Sequence, residues 1–532
     1  MKSPFKTFGV MIDMSRNAVM TTEGLKDFMR LIRKMGYNSV MLYTEDTYEV
    51  EGEPYFGYMR GRYTMDEMRE LDSYAASIGI ELIPCIQTLA HLNAIFRWRK
   101  FEHDWDDILL VDCDRTYELI ERMISTLRKC FSSKRIHVGM DEAFMLGRGH
   151  HQDKFGPEDT VSIMKRHLGR VVDIAKRHDF DVMMWSDMFF SSWNDRKYFT
   201  QKCEMPKDVI DSIPEGVTPV YWDYFHDTEE EFAGMIENHK QLSKNTCFAG
   251  GAWSWLGFIP FNRRTLDTMR PAFDACKKHG VDSVFLTMWG DDGAECSKRA
   301  LLPSLYYLAE YASGNKDEDK IKCGFKRLLG IEFDDFMKID MPNDILGPAK
   351  YPKNPSKYML YSDYFNGFLD YTVKPEAAER YKDFADELWA VARSTRKYGY
   401  IFKTAARLCE ALEIKYSLGC KTREAYQKND KATLRSLAEN EYKELYSKLR
   451  AFIKAFREQW MRENKPHGFD VQDIRLGGLI ERTDACRRRI LDYVNGRIDK
   501  IDELCEEILP FGEKETSITL TKASVASTVN VV

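Results

Sequence analysis

The feature that most constrains this chain is the alternation of short apolar segments with longer amphipathic ones over its first 315 residues. Eight of the short segments are nearly continuous in apolar residues, which is typical of parallel strands covered on both faces. They are TFGVMIDMS (7–15), SVMLYTE (39–45), ELIPCIQ (81–87), RIHVGMDE (135–142), DVMMWSD (181–187), PVYWDY (219–224), TCFAGGAW (246–253) and SVFLTMWGD (283–291). The intervening segments, such as TEGLKDFMRLIRKMG, carry apolar residues at helical spacing.

Eight strand–helix repeats predict an α/β fold that begins with a (β/α)8 TIM barrel. A doubly wound open sheet is the competing layout, but it usually carries a glycine-rich phosphate loop where this chain has DMSRNAVMT. Beyond the barrel the pattern becomes helical, with apolar residues three and four apart. We therefore expect a catalytic barrel over 1–315, an irregular linker over 316–358, an all-α helical bundle over 359–510 and a tail over 511–532.

Charge and cysteine usage exclude several classes of protein. A net charge of −6 gives no electrostatic basis for binding nucleic acid. No apolar run approaches 18 residues and no signal core opens the chain, so we expect neither a membrane span nor secretion. Twelve cysteines lie singly, without a Cys-x-x-Cys pair, which indicates buried thiols in a reducing, cytoplasmic compartment.

Polar and aromatic residues recur where the predicted strands end, which is where barrel enzymes carry their chemistry. Carboxylates and arginine bind hydroxyls in fixed directions, and indole faces cover the apolar faces of sugar rings, so this composition predicts a carbohydrate site. The residues at these ends are Asp13, Ser15, Arg16, His91, Asp141, Glu142, Trp185, Asp187, Tyr221, Asp223, Tyr224, Trp253, Trp255, Trp289 and Asp291.

The adjacent acids Asp141 and Glu142 are the most specific of these features. Cleavage of a glycoside needs one protonated carboxyl to assist the leaving group and a second negative group to stabilise the developing positive charge. Two close carboxyls push their pKa values apart, so that one stays protonated near neutral pH. The alternative is an Asp-Glu pair that only caps the next helix.

The motif HVGMDE, with His137, Gly139, Asp141 and Glu142, resembles the signature of glycoside hydrolase family 20, and the likeness extends over roughly residues 5–315. It implies an exo-acting β-N-acetylhexosaminidase that needs no metal or organic cofactor. Its substrate would be an oligosaccharide or glycoconjugate with a terminal N-acetylhexosamine. The substrate's own acetamido oxygen would attack C1 to form an oxazoline, with net retention. By this resemblance Asp141 would orient the acetamido N–H, and Glu142 would act as acid and then base.

Further residues carry over from the resemblance as substrate-binding candidates. They are Arg16 for the 3- and 4-hydroxyls, Trp185 for the acetamido methyl, Tyr221 for the acetamido oxygen, Asp223 for sugar hydroxyls, Trp289 beneath the ring and Asp291 for O4 or O6. His91 stands near the place of a supporting histidine in a Pro-Gly-His turn that this chain replaces by QTLAH, and His137 would orient a neighbour. Trp253 joins them as a stacking candidate from strand seven.

Several alternatives stay open at this stage. The chain could be a retaining barrel glycosidase for sugars without an acetamido group, or a catalytically silent sugar-binding barrel. The sequence does not decide between GlcNAc and GalNAc, or between a monomer and a homodimer. The aromatic segment PYFGYMRGRY (54–63) fits an aglycone site or a plain lid, and His150 and His151 fit a solvated loop. The segment 464–482 fits an inter-helix connection or, as the alternative, a segment that reaches the active mouth of its own or a partner subunit.

Overall fold

A computed structural model describes residues 5–101, 108–347, 353–367 and 369–509. Eight parallel strands close into a barrel in sequence order, with the first strand paired to the eighth. The strands are β1 Thr7–Asp13, β2 Ser39–Tyr43, β3 Glu81–Cys85, β4 Arg135–His137, β5 Asp181–Trp185, β6 Thr218–Asp223, β7 Cys247–Gly251 and β8 Ser283–Met288. The predicted barrel is confirmed. Asp13, Trp185, Tyr221 and Asp223 lie within the last residues of their strands, whereas Arg16, His91, Asp141, Glu142 and Trp289 follow theirs.

Helices follow the strands, as a parallel barrel requires. They are α1 Thr22–Met35, α2 Met65–Ser77, α3 Asn93–Phe96, α4 Asp114–Arg128, α5 His150–Phe155, α6 Thr160–Arg177, α7 Asp187–Ser191, α8 Lys207–Ile210, α9 Glu229–Leu242, α10 Asn262–Lys278 and α11 Leu302–Ala312. Helix α1 shows how the sequence sets such bounds. The Thr21 side chain accepts a hydrogen bond from the Gly24 amide (3.0 Å), and the helix ends at Gly36 in the left-handed conformation.

Alternate residues of the strands fill the barrel interior with one apolar cluster. Its members are Met11, Met41, Tyr43, Ile83, Cys85, Met183, Trp185, Val220, Cys247, Ala249 and Phe285, with Trp222 and Trp289 packed against them. Because side chains alternate along a strand, the cluster also shows which residues of each strand face outward toward the helices.

The chain divides into two compact units. The first consists of Met1–Ala252, Arg264–Trp289 and Ser304–Asp317, and the second of Trp253–Arg263, Gly290–Pro303 and Glu318–Val532. Its helices beyond residue 317 are α12 Glu318–Leu329, α13 Phe333–Met337, α14 Pro355–Tyr361, α15 Pro375–Ser394, α16 Gly399–Gln427, α17 Lys431–Glu439, α18 Glu441–Glu463, α19 Phe469–Val494 and α20 Asp502–Cys505. The predicted helical C-terminal region is confirmed, whereas the predicted domain boundaries stay predictions.

Two local predictions for this second unit are wrong. The segment predicted as an irregular linker contains α12 to α14 in its described part, because Ile321, Phe325 and Leu329 form one buried stripe at helical spacing. The segment 464–482, predicted as a connection, is helical from Phe469 onward, and two of its glycines, Gly477 and Gly478, lie inside α19.

The predicted tail over 511–532 lies outside the described residues. No helix in the described ranges is both long and apolar enough to cross a membrane.

Candidate active site

The two adjacent carboxylates lie beyond β4 and share one basic neighbour. Nε2 of His91, in the loop after β3, is 3.4 Å from Asp141 Oδ2 and 3.7 Å from Glu142 Oε2. The Asp141 side chain is 12% exposed and the Glu142 side chain 48%, so the second acid is the one that solvent or a substrate reaches. One imidazole therefore bridges two carboxylates of unequal exposure.

The electrostatics of the site separate the two acids. Burial by itself would raise the pKa of Asp141, but the charge of His91 and hydrogen bonds from His91 and Gln87 outweigh it and lower that pKa. Burial and the charge of Asp141 raise the pKa of Glu142. Burial would lower the pKa of His91, yet Asp141 and Glu45 raise it to about 9. At neutral pH the arrangement holds a carboxylate, an imidazolium and an acid that gives up its proton less readily than usual.

A continuous chain of polar contacts joins the acid pair to Arg16 across four neighbouring strands. Gln87 Nε2 donates hydrogen bonds to Asp141 Oδ1 (2.6 Å) and to the Tyr43 hydroxyl (2.9 Å). That hydroxyl donates to Glu45 Oε1 (3.1 Å), which lies 3.1 Å from Arg16 Nη2. The Arg16 side chain is 40% exposed, so a ligand can reach its guanidinium group.

Glu45 and Gln87 are site residues that the sequence analysis missed. Burial raises the pKa of Glu45 to about 7, although the charge of Arg16 opposes that shift. Both residues follow β2 and β3 directly, so their positions at strand ends were the signal that could have identified them. Asp13, the strand-end acid of β1, accepts hydrogen bonds from the Ser15 amide and hydroxyl at 2.8 and 2.7 Å.

Aromatic side chains form the wall beside this network. Trp185 at the end of β5 packs against His137 (ring centroids 4.4 Å apart) and against Trp289 (5.9 Å). Trp289 also meets the Tyr43 ring edge-on at 4.7 Å, and its indole nitrogen donates to the Tyr224 hydroxyl (2.8 Å). Burial lowers the pKa of His137 to about 3, so this imidazole is neutral and supports the wall rather than transferring protons.

Asp187 at the start of α7 supports the acid pair from behind. Its Oδ2 accepts a hydrogen bond from the Glu142 backbone amide (2.8 Å), and its Oδ1 lies 3.4 Å from the Trp222 indole nitrogen. Burial and the negative charge of Asp141 raise its pKa. A side chain noted in the sequence only as a strand-end acid thus fixes the backbone of the more exposed carboxylate.

The structure contradicts the placement of Tyr221 and Asp223 in the site. Val220 and Trp222 face the barrel interior, so Tyr221 and Asp223 face outward by the alternation of β6. The Tyr221 hydroxyl donates to Asp223 Oδ2 (2.5 Å), and its ring packs 4.7 Å from His239 of α9. Both residues do share one face, as predicted, but it is the opposite face from the site.

Two further predicted residues belong to the second compact unit. Trp253 is buried and stacks on Trp255, with ring centroids 4.4 Å apart and planes inclined by 23°. Asp291 is exposed and has a φ of 29°, in the left-handed region. Their roles toward a substrate stay predictions.

One group of side chains in the described ranges has the composition of a metal site. Ligand atoms of Asp112, His151 and Glu158 lie within 4.8 Å of one another. Arg166 already pairs with both carboxylates, at 2.7 Å from Asp112 and 2.5 Å from Glu158, so one of their two negative charges is balanced without an ion. His151 is buried rather than solvated, because α5 places it against the ring of Phe155; the expectation of a solvated loop is wrong for this residue.

Comparison with known proteins gives two family models and a set of distant relatives. The model described as "Glycosyl hydrolase family 20, catalytic domain" matches residues 41–229, and "Glycoside Hydrolase 20C C-terminal domain" matches residues 334–522. Hexosaminidase D of Bos taurus is 23% identical over 245 residues, which cover 43% of this chain and 65% of the relative. Hexosaminidase D of Homo sapiens is 23% identical over 241 residues, which cover 43% of this chain and 46% of the relative.

The chain thus spans less than two thirds of the length of these curated relatives. Among solved structures, the family 20 exo β-N-acetylglucosaminidase of Vibrio harveyi aligns with a TM-score of 0.47 at 14% identity. That alignment covers 62% of this chain and 59% of the other.

Proposed function

We propose that this chain, which belongs to glycoside hydrolase family 20, is an exo-acting β-N-acetylhexosaminidase. It would release terminal, non-reducing β-linked GlcNAc or GalNAc from an oligosaccharide or glycoconjugate by a retaining mechanism. The observation that carries the proposal is the division between the adjacent acids: the pKa of Asp141 is lowered and that of Glu142 raised around one shared imidazole.

In the first step the acetamido oxygen of the substrate attacks C1, and the bond from C1 to the glycosidic oxygen breaks. Glu142 gives its proton to the departing oxygen, for which its raised pKa suits it. The Asp141 carboxylate accepts the acetamido N–H and stabilises the positive charge that develops on the amide. Gln87 and His91 keep Asp141 in place and ionised during this step.

In the second step Glu142 takes a proton from water, which attacks C1 and opens the oxazoline with net retention. Arg16, held by Glu45, is the proposed donor to the sugar hydroxyls, while Trp185 and Trp289 supply the apolar wall. Trp222, which packs against the interior cluster, and Tyr224, whose hydroxyl accepts a hydrogen bond from Trp289, are the proposed substrate contacts from this part of the chain in place of Tyr221 and Asp223.

Hydrolysis of aryl β-GlcNAc but not aryl β-glucoside would support the proposal, because only the former supplies the internal nucleophile. A series with mono-, di- and trifluoroacetamido groups should lose kcat/KM progressively as the amide oxygen becomes less nucleophilic. A rate insensitive to fluorination would refute substrate assistance and favour the retaining glycosidase for other sugars. Binding without turnover would favour the silent sugar-binding barrel.

Variants of the acid pair assign the two roles. Glu142→Gln should lower kcat/KM for a methyl glycoside by orders of magnitude. For a dinitrophenyl glycoside, whose leaving group needs no proton, the rate of the first step should stay close to that of the wild type. Asp141→Asn should slow both substrates, because the amide charge develops whatever the leaving group. An equal loss on both substrates for Glu142→Gln would remove this residue as the general acid.

A cytoplasmic location is part of the proposal, since none of the twelve cysteines forms a disulfide. Homodimer formation stays a prediction that sedimentation velocity can check.

A further inference from the structure

Two exposed tyrosines and one half-buried tryptophan form an aromatic cluster on the loops that follow β2 and β3. Tyr55 and Tyr58 are 45% and 42% exposed, and Met59 beside them is 72% exposed. The Trp98 ring lies 5.6 Å from Tyr55 and 5.4 Å from Tyr58, and the two tyrosine rings are 6.2 Å apart. We name Tyr55, Tyr58 and Trp98 the aromatic platform. Contiguous exposed rings are costly to hydrate and mark binding surfaces more often than single exposed residues do.

Buried polar contacts hold the platform in a fixed position. Glu53, only 4% exposed, accepts hydrogen bonds from Lys100 in the β3 loop and from Arg122 on α4. The loop after β2, which carries Tyr55 and Tyr58, also makes a close backbone contact at Gly57, whose φ is +65°. A Cβ there would stand 2.1 Å from the carbonyl oxygen of Asp46. These contacts hold the two loops that carry the rings in one conformation, so that little order has to be gained when a ligand binds.

The platform loop is tied directly to residues beside the proposed sugar site. Arg60, two residues after Tyr58, donates to the Ser15 carbonyl and lies 3.2 Å from Asp46. Ser15 and Asp46 are the chain neighbours of Arg16 and Glu45, the pair proposed to hold the terminal sugar. The other platform loop carries His91 seven residues before Trp98.

We propose that the aromatic platform is an aglycone subsite that stacks on the sugar residue next to the scissile bond. The inference rests on the proposed function and adds a preference for substrates whose leaving group is itself a pyranose. Aromatic rings cover the apolar C–H faces of such a sugar and leave its hydroxyls to water. The Tyr55 and Tyr58 hydroxyls add polar atoms at the edge of the same surface.

The test compares a β-linked GlcNAc disaccharide with methyl β-GlcNAc, which has no ring to stack. Trp98→Ala and Tyr58→Ala should each lower kcat/KM for the disaccharide about tenfold, mainly through KM, and change methyl β-GlcNAc by less than about twofold. Trp98→Phe and Tyr58→Phe should restore most of the loss because they keep a ring. Tyr371→Ala, at a tyrosine of the second unit that is 40% exposed, is the matched control and should change neither substrate.

Binding of a GlcNAc thiazoline, which occupies the terminal-sugar site alone, separates the two proposals. If the wild type neither binds it nor cleaves methyl β-GlcNAc, the proposed function fails. If both are intact but the platform variants treat the two substrates alike, the subsite is refuted while the function stands. Weakened thiazoline binding in the variants would mean that the platform supports the site of the terminal sugar. A changed sedimentation coefficient with unchanged disaccharide turnover would mean that the platform contacts a second copy of the chain. Either result overturns the subsite.

Discussion

Replacing His91 by Asn tests the electrostatic division of the acid pair. The substitution keeps a polar side chain, although a shorter one, and removes the positive charge between Asp141 and Glu142. Since the pKa of His91 is raised to about 9, the wild-type imidazole is charged over the whole neutral range. The variant therefore lacks, over the whole neutral pH range, the positive charge that the wild type carries between the two acids.

The distances set the size of the effect. An opposite charge within about 4–6 Å lowers a carboxyl pKa by about 1–3 units, and Asp141 lies 3.4 Å from the imidazole. Without that charge, burial dominates and the pKa of Asp141 rises. The same charge also lowers the pKa of Glu142, but that side chain is farther away and 48% exposed, so solvent screening makes this effect smaller than the one on Asp141.

The assay is the pH dependence of kcat/KM on methyl β-GlcNAc. The active form has Asp141 ionised and Glu142 protonated, so the acid limb reports the first group and the alkaline limb the second. We expect both limbs to move to higher pH in His91→Asn, the acid limb by about 1–3 units and the alkaline limb by less. Activity should fall most at low pH and recover as the pH is raised.

His226→Asn is the matched control. His226 also has a pKa raised by a carboxylate, through a 2.7 Å contact with Asp223, but that pair faces away from the barrel interior. Its loss should leave the pH profile in place. An acid limb that stays where it was in His91→Asn, or two limbs that move in opposite directions, would refute the assignment of charges in the site.

Two further predictions concern the register of β6 and the second unit. Tyr221→Phe should lower the melting temperature, because it removes a buried hydrogen bond, and leave kcat/KM within about twofold. Tyr224→Phe removes the hydrogen bond from the Trp289 indole and should lower kcat/KM as well as the melting temperature. Lys357→Met should lower the free energy of unfolding, measured in urea, by at most about 3–5 kcal/mol. It removes the closer of two cations that pair with the buried Glu295 carboxylate, Lys357 at 2.7 Å, and leaves Arg475 at 3.4 Å. Adding Glu295→Gln should recover much of that loss, and equal stability of the single and double variants would contradict this explanation.

Much of the fold could be predicted because the strands of a closed barrel have a distinctive composition. Segments such as SVMLY are covered on both faces and thus apolar at nearly every position, which separates them from amphipathic helices. Because both faces of such a strand are apolar, the sequence does not show which residues face the barrel interior and which face the helices. In VYWDY, aromatic residues occupy consecutive positions, so the sequence did not reveal that Trp222 faces the interior and Tyr221 the helices.

The site could be predicted where a residue type is unusual at a strand end, as for Arg16 and the acid pair. It could not be predicted where several polar residues follow one another. The segment TEDT after β2 contains two acids, and only the three-dimensional contact with Arg16 distinguishes Glu45 from Asp46. Gln87 is uncharged and was missed because its role depends on two acceptors that other strands provide.

The backbone after β4 explains how two neighbouring residues serve one site. In an extended strand, adjacent side chains point to opposite faces, which would place one acid of the pair inside the barrel and the other outside. Here the strand ends at His137, and Gly139, Met140 and Glu142 adopt positive φ values of 75°, 72° and 48°. For the two residues other than glycine such conformations cost about 1–3 kcal/mol each. That strain breaks the alternation and lets both carboxylates meet the same imidazole, so the fold sacrifices stability at the one turn where the proposed chemistry requires two acids on one side.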